Sequence, residues 1–252
     1  MTRHFGVWLA VTLFLSFVVT QDAAAGPPYF TDDPQPVDFR HWELYLSATR
    51  VTDSGDRSGD APHVEANYGV APDLQLHLII PVSHSQHAGV STTFGLGDVE
   101  VGAKYRFVQE TGARPQVGTF PLVELPSGDA SRGLGSGHIR LFLPVWLQKS
   151  VGKWTTYGGG GYWINPGKGN RDWWFAGGQV QVQVTPFLAP GVEAFYQSPA
   201  VEGRSAEAHV NAGFVLDFGA NHHLLFSAGR AFHGCDCKHV YVSYLLTLGP
   251  GS

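Results

Sequence analysis

Apolar and polar residues alternate along most of this chain. In the stretch 74–82 every even position is aliphatic (Leu74, Leu76, Leu78, Ile80, Val82), with Gln75 and His77 between them. In 98–107 the odd positions Val99, Val101, Ala103, Tyr105 and Phe107 are apolar, while Asp98, Glu100, Lys104 and Arg106 share the other face. Val alternates with Gln over 178–184, and the pattern returns over 239–248. A period of two places successive side chains on opposite faces of an extended strand. Windows of this kind predict strands near 38–51, 61–70, 74–84, 97–108, 115–125, 138–149, 153–164, 171–184, 188–197, 206–218, 222–232 and 238–248. The links between them alternate in length. Short ones hold Ala71-Pro72-Asp73, Thr111-Gly112-Ala113, Val151-Gly152, Thr185-Pro186 and Gly219-Ala220-Asn221. Longer ones hold 52–60, 85–95, 126–137, 165–170, 198–205 and 233–237.

Alternation suits a soluble barrel or sandwich as well as a membrane barrel, and composition decides between them. Only 15% of the 252 residues are charged, against about 25% in soluble domains. The polar face is Gln, His, Gly and aromatic rather than the Lys and Glu that bulk water favours. Aromatics gather near strand ends, at Trp42, Tyr68, Phe107, Trp146, Trp154, Trp163, Trp173, Trp174 and Tyr196, as in the girdles of membrane barrels. The expected fold is therefore all-β: a closed antiparallel transmembrane barrel of about 12 strands, with short periplasmic turns and longer external loops. Closure leaves no edge and satisfies every backbone group in lipid. A net charge of −5 provides no basic surface for nucleic acid.

Residues 1–25 read as a secretory signal. A basic start (Arg3, His4) is followed by an apolar run from Phe5 to Val19 and the small residues Ala23-Ala24-Ala25. Residues 26–37 form a Pro-rich segment that no central strand accommodates. It either hangs free on the periplasmic side or folds back into the lumen as a plug. Residues 38–252 supply the barrel, destined for the bacterial outer membrane.

With the apolar sides toward lipid, the alternate positions line the lumen. The candidates are Glu43, Glu65, His77, Asp98, Glu100, Lys104, Arg106, Glu124, Arg140, Glu193, His209 and Asp217. Buried charges must pair or stay wet, so these groups either brace the interior or guide a solute. Twelve strands fall between a filled eight-stranded barrel and a sixteen-stranded pore.

Other signals carry less. Cys235-Asp236-Cys237, beside His233 and His239, reads as a loop disulfide or a metal-binding pair. Gly158-Gly159-Gly160-Gly161 lacks the Lys-Ser/Thr of a phosphate loop and reads as room for close packing. Ser83 and His84 are adjacent, so on a strand they face opposite sides and form no nucleophile–base pair. No catalytic residue, metal or other cofactor is expected.

Several stretches resemble a bacterial family labelled "putative MetA-pathway of phenol degradation". They are 27–34, Trp42-Glu43-Leu44, Gly95-Leu96-Gly97-Asp98-Val99 with Lys104-Tyr105-Arg106-Phe107, and Leu125-Pro126-Ser127-Gly128-Asp129. The most specific is Leu143-Pro144-Val145-Trp146-Leu147-Gln148-Lys149-Ser150, followed by Trp154-Thr155-Thr156-Tyr157 and the glycine run. The resemblance implies an outer-membrane barrel and passage of small or hydrophobic molecules, aromatics included. The expected function is a passive channel or uptake route for a small solute. A non-conducting structural or surface-binding barrel is the alternative, and a lipid-acting barrel enzyme a further one. The expected partners are outer-membrane lipid and a small solute.

Overall fold

A computed structural model describes residues 28–250, so the export segment 1–25 lies outside the described residues. The chain forms β1 (Trp42–Asp53), β2 (Asp56–Ala71), β3 (Leu74–Gln86), β4 (Thr93–Leu96), β5 (Val99–Val108), β6 (Gln116–Thr119), β7 (Leu122–Leu125), β8 (Arg140–Val151), β9 (Trp154–Ile164), β10 (Trp173–Val182), β11 (Leu188–Gln197), β12 (Glu207–Asp217), β13 (His222–His233) and β14 (Cys237–Leu248). Among the described residues the one helical element is a 3₁₀ turn at Ala130–Arg132.

These fourteen segments make a closed barrel of twelve antiparallel strands. β4 and β5 both pair with β3 and are one strand broken at Gly97-Asp98. β6 and β7 both pair with β5 and β8 and are one strand broken at Phe120-Pro121. The ends of the sheet meet where Trp42 of β1 lies opposite Leu248 of β14.

Alternation sorts the side chains as the sequence predicts. Leu76, Leu78, Ile80, Leu143, Val145 and Leu147 are exposed on the outer wall. Gln75, His77, Gln148, Gln179 and Glu193 are buried inside. This inverts a soluble protein, because hydrocarbon rather than water meets the outer face.

The turn lengths depart from expectation at one rim. Residues 52–60 are no long loop: β1 and β2 run on to a tight turn at Ser54-Gly55, where φ is +52° and +100°. The loop expected over 85–95 shrinks to 87–92. Above the lipid both faces of a strand meet water, so the pattern that marks a strand disappears while its ladder continues.

Three of the aromatics expected in the girdles face inward instead. Trp146, Trp163 and Trp173 share parity with Phe142 and Phe175, and Trp146 is 1% exposed. Trp42, Tyr68, Phe107, Trp154, Trp174 and Tyr196 keep to the outside, with Trp42 and Tyr68 in ring contact at 4.5 Å. Glycines make space for the inward rings. A Cβ at Gly159 would lie 2.9 Å from the Trp146 ring, and one at Gly161 would lie 2.6 Å from Phe142.

Candidate functional site

The lumen is the site, and it contains part of the chain itself. Residues 28–37 run inside the barrel before the backbone turns at Phe39 and Arg40 into β1. The structure therefore shows the plug rather than the free tail.

The wall grips this segment through both backbone and side chains. The Glu193 carboxylate accepts the backbone N–H groups of Phe30 (3.3 Å) and Thr31, and also the Asn211 amide at 2.7 Å. Gln75 accepts from the Val37 N–H at 2.9 Å, and Ser227 donates to the Pro28 carbonyl. Lys104 Nζ stands 2.9 Å from Asp32 and 3.5 Å from Asp33. Arg106 donates to Gln35 at 2.8 Å and to Gln116 at 3.1 Å, and pairs with Asp73 at 2.6 Å.

Asp33 is fully buried. Burial raises its carboxyl to about 8, Lys104 pulling the other way and Asp32 adding to the rise. Burial, with the Glu193 charge, likewise pushes the Tyr29 phenol up.

Wall glycines leave the space the plug fills. A Cβ would come 2.1 Å from Thr31 Oγ1 at Gly177, 2.9 Å from Pro34 at Gly118 and 2.6 Å from the Tyr29 hydroxyl at Gly191.

Two apolar patches line the interior. One joins Phe120, Phe142, Trp146, Phe175 and Phe195, with Leu122, Trp163 and Trp173 packed on it. Within it Phe142 stacks on Trp163 at 4.8 Å and Trp163 on Trp173 at 5.6 Å, three rings from three neighbouring strands in one row. Phe30 of the plug closes on Phe195 at 4.8 Å. The other patch joins Tyr45, Val215, Leu225 and Leu245.

All twelve charged or imidazole candidates read from the sequence point inward. The structure groups them into networks. His77 bridges Asn67 (2.6 Å) and Glu100 (2.9 Å), with Glu65 3.6 Å away. Glu124 pairs with Arg140, whose guanidinium lies 5.6 Å from the Trp163 ring centre. Glu43 accepts from Tyr45 at 2.7 Å, and Asp217 meets His223 at 2.6 Å. His209 contacts Glu207 at 3.1 Å and His239 at 2.8 Å, and stacks on Phe195. Asp98 does not face open water. It accepts from Gly128 N (2.9 Å), Ser136 N (2.6 Å) and Ser136 Oγ (2.7 Å), tying loop 126–139 to the wall.

Leu134 of that loop is buried, and beneath it lies a cavity of about 400 Å³. Its lining includes His63, Ile79, Glu100, Glu124 and Arg140. That volume falls within the range of small-molecule pockets. The lumen thus has a plug toward the short-turn rim and a latched loop toward the other.

Sequence reasoning missed the inward rings and the plug's contacts. The parity of β8 carries the signal for the first: Arg140, placed inside from the sequence, shares its face with Phe142 and Trp146. Cys235 and Cys237 form a disulfide beside Glu207, which leaves no thiolate there for a metal.

Solved structures give the fold independent support. The COG4313 outer membrane channel from Pseudomonas putida F1 matches with a TM-score of 0.65 at 14% identity, covering 89% of this chain and all of that one. The KdgM porin matches at 0.56 and 11% identity, over 80% and 98% of the two chains. The translocator domain of the autotransporter NalP from Neisseria meningitidis matches at 0.54 and 10%, over 84% and 89%. No curated protein matches the chain. One family model covers residues 40–234, well over half of the sequence. The chain belongs to the family described as "Putative MetA-pathway of phenol degradation".

Proposed function

We propose that this barrel is an outer-membrane channel for small solutes, aromatic rings among them, closed at rest by its own N-terminal segment and by loop 126–139. The observation that carries the reading is the row Phe142–Trp163–Trp173, standing beside the Glu124–Arg140 pair at the edge of the cavity. Flat rings in a row accept another flat ring by offset stacking. The charged pair beside them gives the cavity a polar edge. The family's description, which names phenol degradation, agrees with such a solute.

Lipid around the wall and a small solute inside are the partners this reading requires. It calls for no nucleic acid, cofactor or catalytic step. The Ser83 hydroxyl is engaged with Asp60 at 2.6 Å, while His84 lies on the other face beside Phe94.

Liposome swelling with solutes of graded size tests the proposal, comparing the full barrel with one lacking residues 28–37. Entry should be slow in the first and faster in the second. Trp163→Ala with Trp173→Ala should slow an aromatic solute more than a sugar of equal size. A correctly inserted barrel that admits nothing in either form would overturn the proposal. It would favour a non-conducting barrel that meets its partners through the external loops, a reading to which the occluded lumen gives some weight.

A further inference from the structure

Four cations sit on the outer wall near its loop-side rim. Arg50, Arg57, Arg230 and Lys238 are all exposed. On β1 the outward series Trp42, Leu44, Leu46, Ala48 continues through Arg50 to Thr52. The register carries that parity sideways, since Thr52 lies opposite both Arg57 and Lys238, and Lys238 lies opposite Arg230. One outward row across β2, β1, β14 and β13 therefore reads Arg57, Thr52, Lys238, Arg230, with Arg50 one pleat below.

Neighbouring strands are about 4.8 Å apart, so the row spans about 14 Å. Arg50 stands eight residues above Trp42. At about 3.3 Å per residue and a tilt near 40° that is about 20 Å, close to the loop-side edge of an apolar band about 25 Å tall.

These cations are not matched by the protein. Arg50, Arg57 and Lys238 form no ion pair among the described residues; Arg230 meets Asp236 at 3.9 Å, with both side chains exposed, and donates to the Ala231 carbonyl at 3.3 Å. The other strand cations, Lys104, Arg106, Arg140 and Lys149, each meet a carboxylate, and the remaining unpaired cations among the described residues lie in turns and loops. Apolar surface flanks the row: Phe232 is 68% exposed next to Arg230, and Val240 and Val242 lie below Lys238 on β14.

We propose that this row is a docking site for the phosphate groups of a lipid headgroup in the leaflet on the loop side of the membrane. Guanidinium forks grip phosphate through paired hydrogen bonds. Acyl chains below the headgroup would lie along Val240 and Val242. A soluble anion would gain the charge contacts without the apolar ones, so the geometry selects a lipid.

Native mass spectrometry of the full barrel in nonionic detergent tests this with three probes: lipid A, the same glycolipid with its phosphates removed, and inorganic phosphate. Lipid A adducts should form and resist inorganic phosphate, while the dephosphorylated lipid should not be retained. Each cation lost near an anionic headgroup weakens attraction by about fivefold. Arg50→Gln, Arg57→Gln, Arg230→Gln and Lys238→Gln combined should therefore lower retention by about a hundredfold or more. Equal retention by the combined variant overturns the proposal. So does equal retention of the dephosphorylated lipid, or displacement by inorganic phosphate at low millimolar concentration. If the combined variant does not insert, Lys238→Gln against Lys238→Arg decides: the first should lose about fivefold and the second little, and identical behaviour overturns the idea.

Discussion

Gly177 and Gly178 are neighbours on β10 that differ only in the face they present. A Cβ at Gly177 meets Thr31 of the plug at 2.1 Å, whereas at Gly178 its nearest neighbour is 4.0 Å away. Gly177→Ala should weaken plug docking by the usual price of overpacking, about 1–3 kcal/mol, which is a five- to hundredfold change in docked population. Gly178→Ala should be silent. Single-channel recordings of the two variants check this, and equal open fractions would count against a wall shaped for the plug. Asp33 makes docking sensitive to pH. Burial, with the charge of Asp32, raises its carboxyl from 3.8 to about 8 in the docked form even though Lys104 pulls it down. Below pH 4 both forms are protonated and docking carries no penalty. Between 4 and 8 only the released form ionises, so docking weakens as pH rises. The open fraction should climb over that window, and Asp33→Asn should flatten the climb. The sequence showed Asp33 only as one charge in a Pro-rich run, since no local pattern reveals a neighbour seventy residues away.

At the scale of elements, two irregular segments close a regular wall. Deleting residues 28–37 should raise conductance, because Glu193, Lys104 and Arg106 would then face water rather than the plug. Asp98→Ala should release loop 126–139 at its wall end and appear as current flicker at the opposite rim, leaving plug contacts unchanged. The strands themselves were legible: β3 and β5 alternate so strictly that lipid and lumen faces follow from parity alone. The inward aromatic row was not. A Trp near a strand end fits a girdle as well as a lumen, and only strict counting from Arg140 along β8 separates the two. The plug's course was equally hidden, since the choice between a free tail and an inserted one rests on contacts from residue 28 to Ser227 and Glu193 that no short window contains.

For the molecule as a whole, lumen carboxylates such as Glu43, Glu65, Glu100, Glu193 and Asp217 outnumber Lys104, Arg106 and Arg140. Reversal potentials in a salt gradient should therefore show a cation preference. Neutralising Lys104 and Arg106 should strengthen that preference and also loosen the plug, whose Asp32, Asp33 and Gln35 they hold. Unchanged selectivity in the double variant would argue against conduction past these side chains. The plug joins β1 through only the residues 38–41. A tether that short holds its own stopper at an effective concentration in the millimolar range. A visiting solute must outcompete that standing occupant from the same chain, so dilution of the barrels changes nothing and the threshold for entry is written into the length of the leash.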